Sequence, residues 1–262
     1  MNIGCIPIPV TFGEKEYRET VDLSKELFYE LLEKEELPHT SQPSPQEFID
    51  IINSAKESGD EVIVILLSSA LSGMYHSAMM TKSMAGFDNC YIVDSLNGTG
   101  GQRMIVEYAV KLRDEGKNAA EIVEKIEALR KRVVLYACMD TLEYLHKGGR
   151  ISGTVYRVGS FAHIKPIIHI EEDGTIGIPG KAMGMSKGME FMIKRVEKHM
   201  PDEEFPFYVM YTKERDNGEI LRERLKKIAI DVPDERIIPV GAAIGTHIGP
   251  KACGLVYIAK EN

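Results

Sequence analysis

The chain has 262 residues, 44% hydrophobic and 27% charged, a make-up that suits one large globular domain or two smaller ones and excludes a disordered, collagen-like or disulfide-stapled chain. Its formal net charge of -8 repels polyanions, and a nucleic-acid role would need a local basic patch that the sequence does not suggest, so no nucleic acid is expected as a partner. Thirteen Met and no Trp supply the soft, adaptable surface that suits an irregular apolar cavity.

Residues 5–12 read as a strand, with Pro7 and Pro9 pointing to an edge or an irregular pairing. Leu23, Leu27 and Leu31 follow at helical spacing. At the next helix Ser44 is an N-cap, Pro45 takes the first turn and Glu47 closes a capping box; Phe48, Ile51, Ile52 and Ala55 form its apolar face and Gly59 ends it. Residues 61–67 are continuously apolar after Glu61, the pattern of a parallel strand buried on both faces. A serine-rich turn and a helix to about Gly86 come next, then a strand over 89–93 and a helix opened by the glycines of 97–101. Asn118 with Glu121 starts another helix, and 133–139 form a strand. Asp173-Gly174 between two apolar runs marks a hairpin. Strands at 207–211, 237–240 and 255–259 and helices at 187–199 and 216–228 complete the chain.

Alternating strands and helices give an α/β fold of two lobes. A Rossmann-like, mostly parallel domain is expected over residues 1–150 and an α/β domain with antiparallel pairing over 151–262, the boundary falling in the Gly/Pro-dense stretch 147–188. Cys5, Cys90, Cys138 and Cys253 form no C-x-x-C pair and read as buried thiols of a reducing, cytoplasmic protein. No leader pattern and no transmembrane run of about 20 apolar residues is present. Dinucleotide and nucleotide phosphate loops are missing, as is H-E-x-x-H, so neither a cofactor nor a metal is expected.

Ligands of open parallel sheets bind beyond the carboxyl ends of strands, where hydroxyls and helix N-terminal N–H groups converge. Ser68, Ser69 and Ser72 occupy such a turn, and Gly73 lets the backbone come close; an anionic head group is the natural guest. Capping alone explains one of these serines. Thr40 and Ser41 stand in a second hydroxyl-rich turn, and His247 lies between glycines ahead of the last strand. Ser72, Asp94 and His247 follow the chain order of an α/β-hydrolase triad, which leaves a serine-dependent acyl hydrolase or transferase as the alternative, although Ser72 lacks the G-x-S-x-G elbow.

Five segments taken in order carry a resemblance. They are Thr40-Ser41-Gln42-Pro43-Ser44; Ser68-Ser69-x-Leu71-Ser72-Gly73-x-Tyr75-x-Ser77-Ala78; Asp94-Ser95; Tyr144-Leu145-x-Lys147-Gly148-Gly149-Arg150-Ile151-Ser152; and Ile164-Lys165-Pro166-Ile167. With His247 and Gly249 they resemble, across nearly the whole chain, the DegV family of bacterial fatty-acid-binding proteins. The resemblance implies a protein without catalysis of its own that holds one long-chain fatty acid between two lobes. It further implies that the protein presents the carboxylate to the ATP-binding subunit of a fatty acid kinase for conversion to acyl phosphate. By that resemblance Thr40 and Ser72 match the hydroxyls that hold the carboxylate, His247 joins their network, and Ser41, Ser69 and Gly73 line it. Asp94, Ser95, Arg150 and Lys165 are expected behind them or at the lobe junction, with Arg150 and Lys165 bracing backbone carbonyls. Two departures stand out. Family members usually begin with a further strand ending in an Asp-Ser-Thr-like turn, which is expected to be absent here, and Met183 stands where an arginine is common, which implies altered docking of the partner or gating of the head group. Met74, Met79, Met80, Met183, Met185 and Met189 are the expected adaptable lining for the acyl chain.

Overall fold

The structure, a computed structural model, describes residues 1–34, 37–159 and 164–261. The first strand, β1 (Pro9–Phe12), begins at Pro9 and so is shorter than residues 5–12; a proline is tolerated at the first strand position, where its missing N–H breaks no ladder. Next come β2 (Lys15–Arg18), α1 (Lys25–Lys34) and β3 (His39–Thr40). β1 pairs antiparallel with both β2 and β3, which makes it the middle strand of a three-stranded sheet and corrects the expected edge position. α1 covers this sheet by packing Phe28, Tyr29 and Leu32 on Val10, Phe12 and Tyr17.

α2 (Pro45–Ser58) starts on the expected capping box: Gln46 N–H donates to Ser44 Oγ at 3.2 Å, Ser44 N–H donates to Glu47 at 3.1 Å, and Gly59 closes the helix at φ 74°. β4 (Val62–Leu66), α3 (Met74–Ala85) and β5 (Cys90–Asp94) form a parallel unit whose strands pair from Val62↔Cys90 to Leu66↔Asp94. Val62 to Ile65 are only half-buried, where an apolar run of this kind predicts full burial, because this sheet has two strands among the described residues. α4 (Thr99–Asp114) and α5 (Ala119–Leu129) follow, the latter on the Asn118/Glu121 capping box. Gly100 seats α4 closely: a Cβ there would stand 2.7 Å from both Met210 Sδ and Val256.

The remaining elements are β6 (Val133–Cys138), α6 (Glu143–Lys147), α7 (Gly153–Gly159), β7 (Ile164–Ile170), β8 (Ile176–Met183), α8 (Met185–Lys198), β9 (Tyr208–Tyr211), α9 (Asp216–Lys226), β10 (Ile237–Pro239), α10 (Ala242–Ile248) and β11 (Cys253–Ile258). Their strands form one six-stranded sheet, in the order β10-β9-β11-β6-β7-β8, that is antiparallel except between β10 and β9. Strand alternation sorts its side chains. Cys138, Val209, Leu255 and Tyr257 face Met189, Met192, Leu221 and Leu225 of α8 and α9, while Leu135, Met210, Val256 and Ile258 face Met104, Ile105, Ile122 and Ile126 of α4 and α5.

The fold is thus α/β, with a parallel sheet and a larger, mainly antiparallel one. The large sheet crosses residue 150, since β6 lies among strands that all come later in the chain and α4 and α5 cover its face. Apolar strand patterning shows which face is buried but not which strand is the neighbour, so the sequence does not place β6. Cys90, Cys138 and Cys253 are buried as expected, whereas Cys5 is exposed ahead of β1, a correction to the reading of four buried thiols. Among the described residues no helix is long and apolar enough to cross a membrane.

Candidate functional site

A cavity of about 330 Å³ lies between the α4-facing side of the large sheet and the ends of the smaller sheets. The sheet contributes Leu135, Ala137, Ile168, Ile170, Ile176 and Met210; the turn after β4 and the start of α3 contribute Leu67, Leu71 and Met74; α10 contributes Ala243, Ile244 and Ile248. The walls are therefore mainly branched aliphatic, and the volume falls at the small end of the range of about 300–1,000 Å³ typical of ligand sites. Of the methionines expected to line it, Met74 does, joined by Met210. Met79, Met80 and Met183 are exposed, and Met185 and Met189 pack in the α8 core on the opposite side of the sheet. Residue type alone did not distinguish these positions; helix face and strand parity do.

Polar groups gather where β3, the α3 turn and α10 meet. β3 ends at Thr40, and the turn of Ser41 and Gln42 runs along the cavity to the α2 cap. Thr40 Oγ1 and His247 Nε2 are 3.0 Å apart, and His247 Nδ1 has no hydrogen-bond partner among the described residues. It lies against Gly148, where a side chain would run into the ring. His247 is 9% exposed, and burial, followed by the nearby Arg150 guanidinium, pushes the imidazole down to about 4; the ring is neutral at pH 7. Ser72 Oγ accepts from Met74 N–H at 3.3 Å at the start of α3, which leaves its own proton without an acceptor among the described residues. A Cβ on Gly73 would collide with the Gln42 amide, so the glycine lets the two polar turns close on each other.

Arg150 also lines the cavity. Its Nε donates to Leu71 O at 3.1 Å and its Nη1 to Gly148 O at 2.5 Å, and no carboxylate pairs with it among the described residues. It thus braces two backbone carbonyls and still leaves a positive field at the polar end of the cavity. Burial lowers its pKa; a guanidinium in a protein keeps its charge.

Other sequence candidates lie behind the cavity wall. Ser68 is fully buried, donating to Gly174 O of the β7–β8 turn at 2.8 Å and accepting from Ala70 N–H at 3.2 Å. Ser69 does not line the cavity; its N–H points to the Asp94 carboxylate at 3.3 Å, and Asp94 also takes Leu96 N–H at 2.8 Å. Ser95 bonds both the N–H and the C=O of Asn97. Lys165 pairs with Asp140 at 2.5 Å, away from the lining. The Ser72-Asp94-His247 relay is not assembled: His247 Nε2 is on Thr40, its Nδ1 has no partner among the described residues, and Asp94 serves backbone N–H groups. α10, which supplies most of one wall, is not expected from the sequence. Gly241, Gly245 and Gly249 punctuate that segment and conceal an Ala243-Ile244-His247-Ile248 stripe at helical spacing.

The family model described as "Uncharacterised protein, DegV family" matches residues 1–260. The chain belongs to the DegV family. Among curated relatives, the DegV domain-containing protein TTE1491 of Caldanaerobacter subterraneus subsp. tengcongensis is 32% identical over 261 residues, 98% of this chain and 92% of the relative. Among solved structures, a fatty-acid-binding DegV family protein from Thermus thermophilus matches this DegV chain with a TM-score of 0.85 at 27% identity, covering 97% of this chain and 91% of that one. A stearic acid-binding protein from Eubacterium ventriosum matches with a TM-score of 0.84 at 25% identity, covering 97% and 90%.

Proposed function

We propose that this DegV protein binds one long-chain fatty acid in the cavity, with the carboxylate at the Thr40–Ser72–His247 end. The single observation that carries this reading is an aliphatic cavity that ends in two hydroxyls and an unneutralised arginine. The similar fatty-acid-binding protein of T. thermophilus and stearic acid-binding protein of E. ventriosum support the ligand class.

The hydrogen bonds follow from proton bookkeeping. For Thr40 to donate to a carboxylate, its lone pair accepts from His247 Nε2–H, a tautomer assigned from the network. This leaves Nδ1 as a bare acceptor against Gly148, with no donor to it among the described residues. Ser72 donates its free proton, and the α3 N-terminus and Arg150 favour the negative charge. A tail burying its methylenes at about 0.8 kcal/mol each supplies roughly 10 kcal/mol before ordering costs. The tail sets affinity and the hydroxyls set orientation.

The same geometry supports presentation of the carboxylate to the ATP-binding subunit of a fatty acid kinase. Ser41 and Gln42 line the cavity and are also exposed, so the polar end reaches the surface. A carboxylate oxygen there can attack the terminal phosphorus of ATP held by the partner, forming acyl phosphate and releasing ADP. Holding the head group by hydroxyls, with Arg150 already occupied by carbonyls, keeps that oxygen available. Met183 is 69% exposed, a position suited to contact with a partner. The test combines oleate-loaded protein, ATP and a bacterial fatty acid kinase subunit, with acyl phosphate trapped by hydroxylamine. Hydroxamate that depends on both proteins is expected. Binding of oleate without any hydroxamate would overturn the presentation step, and failure to bind oleate would overturn the whole reading.

A further inference from the structure

α10 carries His247 and the Ala243, Ile244 and Ile248 wall, yet its own sequence gives it little to start on: the N-cap is Gly241, with no side-chain cap. The missing acceptor comes from the other end of the chain. Glu19, directly after β2, takes the N–H of Ala243 at 3.2 Å and also that of Ala242. It is half-buried, and no Lys or Arg pairs with it among the described residues. Gly241 is required for this approach, since a Cβ there would run into the carboxylate. Thr20, the next residue, holds a left-handed φ of 64°, which is strained for a β-branched side chain and is the kind of outlier that surrounding structure must impose. Glu19 N–H is in turn tied to Ile8 O at 3.3 Å, next to the β1–β3 ladder that ends at Thr40.

We infer that Glu19 is a positioning residue for the fatty-acid head group: by capping α10 from the N-terminal sheet it holds His247 at the distance from which the imidazole orients the Thr40 hydroxyl. Ala243 and His247 are four residues apart on one helix, so a shift at the cap moves the ring along the same face. The sheet that holds Thr40 and the helix that holds His247 are far apart in sequence; Ala242 packs into the core under that sheet with Val10 and Phe12, and the carboxylate adds the polar contact at the start of the helix. Its role is that of an acceptor rather than a charge, and burial raises its pKa in keeping with an environment that does not require the charge. This inference rests on the carboxylate-binding role of Thr40 and His247.

The experiment compares wild type with Glu19→Ala, Glu19→Gln and Glu19→Asp. Three quantities are measured: His247 ring nitrogen shifts by NMR in the ligand-free protein, affinity for oleate, and affinity for methyl oleate, which keeps the tail and lacks the charged head. Glu19→Ala is expected to move the His247 signals and weaken oleate at least tenfold, with less than threefold change for the ester; Glu19→Gln, which keeps an acceptor, is expected to stay within threefold of wild type on both. If Glu19→Ala does not fold, Glu19→Asp, whose shorter side chain withdraws the acceptor, provides the same comparison. Unchanged His247 signals, equal losses for acid and ester, or a Glu19→Gln variant as impaired as Glu19→Ala would each overturn the inference. A wild type that binds neither lipid would instead refute the fatty-acid reading, while the His247 signals of the ligand-free variants would still test the cap.

Discussion

Acidification should destabilise the ligand-free protein through His247 in a way that one substitution isolates. Burial and Arg150 lower this imidazole from 6.5 to about 4, so between those values the unfolded chain binds a proton that the folded protein refuses. Stability therefore falls as pH drops through this window. The two-state linkage relation gives a loss of about 2 kcal/mol by pH 5 and about 3 kcal/mol by pH 4 from this residue, with almost none above pH 7.5. Urea unfolding of wild type and His247→Gln at pH 7.5, 6, 5 and 4.5 separates this contribution from the carboxylates common to both proteins. Wild type should lose stability faster than the variant, by about the amounts given. Saturating oleate should shrink the difference, because a carboxylate beside the Thr40–His247 pair favours the imidazolium. Parallel pH profiles for the two proteins would refute the reasoning, and with it the claim that the ring is held neutral in a desolvated site.

Three further outcomes follow from the same contacts. Ser72→Ala removes the free donor and should weaken oleate binding by about 10- to 150-fold in equilibrium titration, the cost of a hydrogen bond to a charged group, while the lost acceptor for Met74 N–H costs about 1 kcal/mol in unfolding. Ser68→Ala should act on stability alone: its hydroxyl is buried on Gly174 O, so the variant should lose about 1–3 kcal/mol of stability and keep the affinity of the folded protein, as measured by thermal and ligand titrations. Ala137→Leu projects three more carbons into the cavity and should shift preference toward acids shorter by about three methylenes, at about 0.8 kcal/mol each, in competition binding with a chain-length series.

How far the sequence carried the account differs by element. The starts of α2 and α5 and the β7–β8 turn were legible because Ser44/Glu47, Asn118/Glu121 and Asp173-Gly174 act locally. Thr40, Ser72 and His247 were legible as candidates, and their association was implied by the family resemblance; the 3.0 Å contact between Thr40 and His247 joins residues 207 positions apart, beyond any local pattern. The place of β6 depends on β7 and β11, which both pair with it and both come later in the chain. α10 was hidden for a related reason. Its glycines argue against a helix, and the acceptor that starts it, Glu19, lies 224 residues from Ala243. Among the methionines, Met74 and Met79 lie on one helix, yet one lines the cavity and the other is exposed, a distinction of helix face that composition does not carry.

The central claim is that the cavity holds a fatty acid by its carboxylate. Its most direct test is mass spectrometry of the organic extract of protein purified from a bacterial host and then denatured, run beside Ser72→Ala. Close to one long-chain fatty acid per wild-type chain is expected, and markedly less in the variant. A lipid-free wild type that also takes up no added palmitate or oleate would contradict it.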